Sequence, residues 1–219
     1  MKKHFKIEGI PKIPSRIYSV LVTKSPFIKD FYREAAVEIC SRVLSGRVLD
    51  VGTGPGRLPF EIAGRSENLK VVGVDLSPEM IRIAEREAAG MAFSGRVNFQ
   101  VANASKLPFE DNSFELAVST LSFHHWLEPE KGLKEIGRVL KDGGEAWIYE
   151  LRRDTSKEAA LELSNRYGRL LSFICLHFVR VHSSIALKRA EEIFSSPEIG
   201  FSGKSVEERG VVLKLKLLK

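Results

Sequence analysis

Three glycines placed close together, Gly52, Gly54 and Gly56, are the strongest chemical signal in the chain. They follow a short apolar run, and because they have no Cβ atoms they let backbone N–H groups approach a ligand closely. Asp75 ends the next apolar run, where a carboxylate can accept hydrogen bonds from both hydroxyls of a ribose. A plain strand-to-helix turn is the alternative, which three glycines within five residues disfavour. Together these residues predict a site for a ligand that contains adenosine.

The spacing of the glycines bears on which adenosine compound this is. The NAD fingerprint reads G-x-G-x-x-G, whereas here the third glycine comes one residue early and Arg57 stands in its place. An acid at Asp75 excludes a 2′-phosphate but does not separate NAD from other adenosine ligands. NAD-dependent oxidoreduction therefore stays open as the weaker alternative.

A second group of reactive side chains occurs in Ser122-Phe123-His124-His125-Trp126, directly after another apolar run. A histidine there can accept a proton near neutral pH, and an indole can stack against a substrate or a cation. We take His124 as the candidate general base and place His125 and Trp126 beside the substrate. The alternative is that both histidines only open a helix and that Trp126 belongs to the core.

Short apolar runs alternate with helical patterns through the middle of the chain, which indicates a parallel sheet covered on both faces. Ligands of such sheets bind outside the carboxyl ends of the strands, where the glycines and the histidines stand. The runs that we interpret as strands are Arg47–Val51, Lys70–Asp75, Arg96–Val101, Phe114–Ser119 and Glu145–Glu150.

Helical spacing of apolar residues covers the stretches between and beyond these runs. The predicted helices are residues 27–44, residues 57–63, one capped by Ser77-Pro78, one that stops at residues 142–144, and two long ones at about 155–180 and 184–196. Two further strands, Ser202–Glu208 and Val211–Leu218, are joined too tightly to be parallel. The fold class is therefore α/β, a doubly wound, Rossmann-like, seven-stranded sheet, mostly parallel with a C-terminal antiparallel hairpin.

Composition places the chain among ordinary globular proteins, with 43% hydrophobic and 28% charged residues. The net charge of +6 is concentrated at the two ends, with +5 in residues 1–24 and +3 in residues 203–219. The rest is slightly acidic, so nucleic acid is the weaker partner and an anionic or quinone-like small molecule is the stronger one. Two cysteines without metal-ligand spacing, and the lack of a secretory signal or membrane-spanning segment, predict a cytoplasmic protein without a metal.

Several motifs in register resemble the class I S-adenosylmethionine-dependent methyltransferases. Among these, the chain is most similar to the small-molecule group that includes the ubiquinone and menaquinone biosynthesis C-methyltransferases. The resemblance covers about residues 45–150, and the terminal hairpin is also as expected. Its motifs are Val48–Gly56, Val71–Met80, Ala102–Ala104 with Leu107–Phe109, Asp111–Phe114 and Gly137–Gly144.

The resemblance implies S-adenosylmethionine as the cofactor and S-adenosylhomocysteine as its product. Asp50 would orient the glycine turn or reach the methionine ammonium, and Asp75 would bind the ribose. Asn103 stands where the family usually has Asp, and its amide oxygen can still accept from the adenine amino group. The other cofactor-binding positions implied are Gly52, Thr53, Gly54 and Gly56 at the turn, and Leu76, Met80 and Ala104 around the adenine.

The acceptor side is implied less specifically. We interpret residues 1–219 as one domain: a helical segment at 1–44, the cofactor-binding core at 45–150, a lid insert at 151–183, and a helix with the hairpin at 184–219. Tyr18, Arg152 and Arg153 join His125 and Trp126 as acceptor-pocket candidates, and the arginines could hold a carboxylate or phosphate. Glu150 approaches the mouth of the same pocket. A solvated surface pair and simple packing are the alternatives for these residues.

The reaction implied is methyl transfer to a small molecule, which needs alignment of the reactants and no nucleophile or metal. A general base is needed only if the acceptor must lose a proton. The alternatives that stay open are an RNA or protein methyltransferase and a protein that binds the cofactor without transferring its methyl group.

Overall fold

A computed structural model of the chain describes residues 26–93, 95–170, 172–173, 176 and 184–219. The strands are β1 Gly46–Val51, β2 Leu69–Asp75, β3 Val97–Val101, β4 Phe114–Thr120, β5 Leu140–Arg152, β6 Ser184–Ile185, β7 Gly203–Arg209 and β8 Val212–Leu218. Seven of them form one sheet in the order β3-β2-β1-β4-β5-β8-β7, and the two-residue β6 pairs with β5 outside this order. Strands β1 to β5 are parallel to one another, and β8 is antiparallel to both β5 and β7. The predicted mostly parallel, seven-stranded sheet with a terminal hairpin is confirmed, and β6 is an addition to it.

Helices cover both faces of this sheet, because successive strand residues point to opposite sides. The helices are α1 Pro26–Arg42, α2 Arg57–Ala63, α3 Pro78–Ala88, α4 Pro129–Val139, α5 Lys157–Tyr167 and α6 Leu187–Ser195, with single 3₁₀ turns at Phe123–His125 and Pro197–Ile199. Leu49 and Ile148 join one buried cluster with α4 and α6, while Val48 and Tyr149 join the other with α1, α2 and α5.

The start of α3 follows from its sequence. The hydroxyl of Ser77 accepts a hydrogen bond from the backbone N–H of Met80 at 3.3 Å, and Pro78 occupies the first turn, where no N–H is needed. This cap was predicted, and it fixes where the chain turns away from the end of β2. Asp75, the last residue of β2, is thereby held at the carboxyl edge of the sheet.

Two predicted helix ends were wrong in the first part of the chain. α1 ends at Arg42 instead of residue 44, and α4 ends at Val139 instead of reaching residues 142–144. Leu140 already pairs with Phe114, so β5 begins there and not at Glu145. The apolar pattern alone would extend α4 to residue 142, but pairing with β4 makes the residues from Leu140 onward part of β5.

The two long helices predicted after β5 are also shorter than expected. α5 ends at Tyr167 because Gly168 adopts a left-handed φ of 86°. Ser184–Ile185 is not helical: these residues pair with Leu151 and Arg152, beyond the point where β4 has ended at Thr120. β6 therefore pairs for two residues with the same edge of β5 that β4 occupies earlier in the strand. The helix α6 begins only at Leu187.

Cys40 is half-buried, and burial raises the pKa of its thiol. Cys175, the other cysteine of the sequence, lies outside the described residues. Within the described part of the chain, no helix combines the length and the apolar character that crossing a membrane requires.

Candidate active site

The three glycines form a loop at the carboxyl end of β1, and each has a positive φ: 78° at Gly52, 53° at Gly54 and 81° at Gly56. A side chain would be strained in this conformation. The backbone N–H groups of Gly52 and Thr53 donate to the carbonyl of Val74 at 2.8 and 2.9 Å. These two bonds fasten the loop to β2.

Asp75 joins the loop to the next helix. One carboxylate oxygen accepts from the N–H of Gly54 and the other from the N–H of Ser77, both at 2.8 Å. Burial raises the pKa of Asp75, although these two hydrogen bonds oppose the shift. Each oxygen has a second lone pair, so the carboxylate can still accept from hydroxyl groups of a ligand.

Asp50 lies beneath the loop and is fully buried. Its Oδ2 accepts from the Thr53 hydroxyl at 2.7 Å, whereas its Oδ1 has no hydrogen-bond partner. Burial raises the pKa of Asp50 to about 7, against the opposing Thr53 hydrogen bond, and the charge of Asp75 raises it further. A buried oxygen without a partner is costly, so the structure holds an acceptor ready for a donor or a cation.

Two glycines around the loop are required by close contacts. A Cβ on Gly52 would lie 1.8 Å from the Ser122 hydroxyl, and one on Gly73 would lie 2.6 Å from the Thr53 hydroxyl. Gly54 differs, since a Cβ there would meet no atom within 4 Å. The loop is therefore closed toward the protein and open above Gly54, which fits a ligand lying on its backbone.

The turn after β4 contacts this loop through Ser122. Leu121, at the end of β4, has a left-handed φ of 54°, which is uncommon for a residue with a side chain. Its N–H donates to the carbonyl of Tyr149 at 2.8 Å. The strained residue redirects the chain so that Ser122 covers Gly52 and the 3₁₀ turn Phe123–His125 follows.

His124, in this turn, is held by Glu150 at the end of β5. The Nδ1 of His124 lies 2.7 Å from Glu150 Oε2, and its backbone N–H donates to Oε1 at 3.4 Å. The Glu150 side chain is fully buried, and the His124 side chain is 7% exposed. His125 stacks obliquely on His124, with ring centroids 3.9 Å apart. Sequence reasoning placed Glu150 near the pocket without identifying it as the partner of His124.

The residues predicted around the adenine occupy different environments. Leu76 is 40% exposed, whereas Met80 is fully buried. The side-chain oxygen of Asn103 accepts from the N–H of Ser105 at 2.8 Å, so part of its accepting capacity already serves its own turn. Ala104 is half-buried directly beside it.

Trp126 lies in the core, which agrees with the packing alternative better than with a substrate contact. It is 6% exposed, its ring packs edge-on against Phe123 at 5.0 Å, and its Nε1 donates to the Ser122 hydroxyl at 3.3 Å. A Cβ on Gly132 would lie 2.6 Å from its ring. Trp126 therefore supports the turn from the α4 side.

The acceptor candidates Arg152, which ends β5, and Arg153, which follows it, are only partly brought to the carboxyl edge of the sheet. The guanidinium of Arg152 forms ion pairs with Glu208 and Asp154, and Arg153 is exposed. Tyr18 lies outside the described residues. In the predicted lid, Phe173 is 69% exposed while Ser172 is buried and donates to the carbonyl of Leu163. Ile174 and residues 177–183 also lie outside the described part.

A second cluster of charges lies on the opposite face of β5 and was not predicted; Lys214 is fully buried in it, Glu38 is half-buried and Arg209 is exposed. Glu38 of α1 contacts Lys214 Nζ at 2.5 Å, Arg209 at 2.8 Å and the Tyr149 hydroxyl at 3.0 Å. Burial tends to raise the pKa of Glu38, but these partners lower it to about 2, while burial lowers the pKa of Lys214 to about 8. The Lys214 ammonium also lies 3.4 Å from the Trp147 ring centroid. A cavity of about 350 Å³ lies beside this cluster, between α1 and α5.

Among the described residues, no group of three or more histidine, cysteine, aspartate or glutamate side chains has the arrangement of a metal site. The polar groups around the glycine loop, at the carboxyl edge of the sheet, are carboxylates, backbone N–H groups and one histidine. Such groups can bind an adenosine ligand and move a proton.

Comparison with known proteins points to one family. A family model described as a methyltransferase domain matches residues 49–148. The ubiquinone/menaquinone biosynthesis C-methyltransferase UbiE of Geotalea daltonii is 37% identical over 120 residues, covering 54% of this chain and 51% of its own length. A demethylmenaquinone methyltransferase of Thermus thermophilus is 32% identical over 143 residues, covering 65% of this chain and 64% of its own length. The chain spans about half the length of the UbiE relatives that it matches.

Solved structures extend the similarity to nearly the whole chain. A putative S-adenosyl-L-methionine-dependent methyltransferase of Methanococcus maripaludis has a TM-score of 0.74 at 22% identity, covering 97% of this chain and 96% of its own. A phosphoethanolamine N-methyltransferase of Haemonchus contortus, in complex with phosphomonomethylethanolamine and S-adenosylhomocysteine, has a TM-score of 0.56 at 29% identity. It covers 80% of this chain and 38% of its own.

Proposed function

We propose that this chain is a class I S-adenosylmethionine-dependent methyltransferase and that it transfers the methyl group of S-adenosylmethionine to a small-molecule acceptor; its similarity to methyltransferases supports the proposal. When bound, the cofactor supplies an electrophilic methyl group on a sulfonium. The chain's own residues would bind this cofactor, align the acceptor and exclude water, which can account for much of the rate of such a displacement.

The observation that carries the proposal is a pair of carboxylates, Asp50 fully buried and Asp75 half-buried, around a glycine loop that is open on one side. Asp50 has an oxygen without a partner, Asp75 has lone pairs to spare, and Gly54 has free space above its Cα. These features fit a ligand that brings hydroxyl donors and positive charge. In this proposal Asp75 binds the ribose hydroxyls, and Asp50 faces the methionine ammonium directly or through water.

The remaining cofactor residues follow in the same proposal. Gly52, Thr53 and Gly54 line the methionine part, while Gly56 turns the chain into α2. Leu76 has the exposure needed to contact the adenine, whereas Met80 supports α3 from beneath. Ala104 would offer its backbone to the ring, and the second lone pair of the Asn103 oxygen could accept from the adenine amino group.

For the acceptor, we propose a quinone-type small molecule in its reduced, hydroquinone form. The support comes from the relatives, whose names place them in ubiquinone and menaquinone biosynthesis. A hydroquinone is electron-rich and can attack a sulfonium methyl group through carbon or oxygen. His125, Arg153 and residues of the predicted lid are the candidates for its contacts.

Calorimetry with S-adenosylhomocysteine tests the cofactor site. We expect wild-type protein to bind it and Asp75→Ala to lose about 10- to 100-fold in affinity, because hydrogen bonds to a carboxylate are lost. Asp75→Asn keeps the shape and controls for disturbance of the loop. Asp142→Ala, whose side chain is 96% exposed, is the matched control and should bind normally. Equal affinity in wild type and both Asp75 variants would reject the site.

Thermal unfolding in the presence of each ligand separates S-adenosylhomocysteine from NAD. We expect S-adenosylhomocysteine to raise the melting temperature and NAD to leave it unchanged, because the third glycine of the NAD fingerprint is displaced. Stabilisation by NAD alone would reverse the assignment. Binding of S-adenosylhomocysteine without turnover of 1,4-naphthohydroquinone would retain the cofactor site and reject the quinone-type acceptor.

A further inference from the structure

The contact between Glu150 and His124 has the properties of a proton-accepting pair. Both carboxylate oxygens of Glu150 face His124, one at its ring Nδ1 and one at its backbone N–H. The Glu150 side chain is fully buried, and no lysine or arginine among the described residues forms an ion pair with it. His124 is therefore the partner of this buried carboxylate among the described side chains.

The carboxylate decides which ring nitrogen carries the proton. An ionised carboxylate can only accept hydrogen bonds, so beside an ionised Glu150 it is Nδ1 of His124 that donates and carries the proton. Its Nε2 then presents a lone pair, and this atom is buried and has no hydrogen-bond partner. If Nε2 takes up a proton, Glu150 balances the charge of the imidazolium that forms.

The position of the pair links it to the cofactor loop. Ser122, two residues before His124, occupies the space that a side chain at Gly52 would need. The pairing of Thr120 with Tyr149 sets Glu150 beside the turn after β4. The unpartnered Nε2 therefore belongs to the turn that covers the glycine loop.

We propose that His124 is the proton acceptor for methyl transfer and that Glu150 is its positioning residue. The acceptor is consequently a molecule that must lose a proton, such as a phenol, an enol or the ring of a hydroquinone, and not a thioether or a tertiary amine. The inference rests on the proposed methyl transfer and narrows its acceptor class.

The step balances without another reactant. The acceptor–H bond breaks, its proton forms an N–H bond at His124 Nε2, and its electron pair stays on the acceptor. That pair forms the new bond to the methyl carbon, and the pair of the broken carbon–sulfur bond returns to sulfur. The imidazolium then releases its proton to water.

Nitrogen NMR tests the pair without any turnover. In ¹⁵N-histidine-labelled full-length protein with S-adenosylhomocysteine at pH 8, we expect the His124 ring to carry its proton on Nδ1 and none on Nε2. His124→Gln identifies the resonance. A proton on Nε2 under these conditions overturns the proposal, whatever the acceptor is.

Kinetics test the positioning role of Glu150. With 1,4-naphthohydroquinone as the acceptor probe, we expect Glu150→Gln to lower kcat about 10- to 100-fold and His124→Gln to lower it at least as much. The Kd of S-adenosylhomocysteine should stay within about twofold in both, since H-bond partners in the cofactor loop are untouched. Unchanged kcat in Glu150→Gln contradicts the role.

A matched control is available on the same strand. Glu145→Gln removes a carboxylate that pairs with Arg42 and lies five residues before Glu150 in β5, and we expect its kcat to equal that of wild type. If wild-type protein does not methylate the naphthohydroquinone, the proposed quinone-type acceptor fails, and the nitrogen spectrum still decides the His124–Glu150 pair.

Discussion

Two regions of the molecule bury carboxylates in opposite ways. Beneath the glycine loop, Asp50 and Asp75 lie close to each other without a basic side chain among their partners, and the pKa of Asp50 rises to about 7. On the other face of the sheet, Glu38 is surrounded by Arg209, Lys214 and Tyr149, and its pKa falls to about 2. Burial raises the pKa in both places, but Glu38 is only half-buried, and its partners Arg209, Lys214 and Tyr149 outweigh that smaller effect.

The carboxylate of Glu38 has its counter-charges within the protein, whereas those of Asp50 and Asp75 depend on a ligand for theirs. Glu38 and its partners connect α1 to β5 and the terminal hairpin, so their charges already stabilise the fold. Asp50 and Asp75 cost stability when the site is empty, and a ligand with cationic and hydroxyl groups would recover it. Perturbed carboxylates of the second kind are typical of functional sites.

The largest loss of stability is expected when Glu38 is removed from its cluster with Arg209, Lys214 and Tyr149. Glu38→Ala leaves the fully buried Lys214 ammonium without its carboxylate, and we expect the free energy of unfolding to fall by about 3 kcal/mol. Urea denaturation measures this change. The Kd of S-adenosylhomocysteine should stay near the wild-type value.

Two further variants control this measurement. Glu34→Ala removes an exposed partner of Arg166 from the same helix and should cost less than about 1 kcal/mol. Glu38→Met combined with Lys214→Met removes both charges and should recover much of the lost stability. If Glu34→Ala destabilises as strongly as Glu38→Ala, the cluster around Glu38 has no special role.

A smaller effect of opposite sign is expected at Asp50. Asp50→Asn removes the buried charge but leaves an amide without a full set of partners, so the ligand-free protein should gain about 1 kcal/mol at pH 8. Its affinity for S-adenosylmethionine should fall by about tenfold, since a carboxylate facing the cation is lost. Asp142→Asn should change neither quantity. A variant that loses stability and retains affinity would contradict the comparison.

The smallest effect is a difference in pH dependence. The pKa of Asp50 is about 7 in the folded protein, against an ordinary value of 3.8. Between pH 3.8 and about 7 the folded protein therefore binds a proton at Asp50 that the unfolded chain does not bind. The contribution of Asp50 to stability consequently falls as the pH rises from about 4 to about 7. The pKa of Glu38 is about 2 instead of 4.5, so its contribution is complete above pH 4.5 and is lost as the pH falls toward 2. Melting temperatures of ligand-free wild type should therefore decline from pH 5 to pH 7.5, and Asp50→Asn should decline less. Parallel curves would show that Asp50 does not titrate there.

Local patterns predicted the fold well, because the information lies in neighbouring residues. The apolar runs predicted the strands, Ser77 and Pro78 predicted the start of α3, and the short connection between Glu208 and Val211 predicted the antiparallel hairpin. Errors arose where long-range pairing ends or begins an element. The two residues of β6 are too few to show a periodicity, and their position depends on the free edge that β4 leaves on β5.

The site was predicted only where its residues follow one another in sequence. The loop from Asp50 to Gly56 and the acid at Asp75 stand in a recognisable order. Glu150 stands 26 residues after His124, and the register of β4 against β5 brings the two together. Lys214 alternates with leucines as an outward residue would, yet α1 covers that face and buries it.

The chain contains two tryptophans, and the sheet separates them. Trp147 lies under the Lys214 ammonium on the α1 side, while Trp126 lies on the other side and donates to Ser122, which covers Gly52. Their fluorescence therefore reports two different places: the emission of Trp147 follows the charge of Lys214, and that of Trp126 follows the turn beside the glycine loop. In a Trp147→Phe variant, Trp126 would be the single tryptophan, and its fluorescence would report on the turn beside the glycine loop.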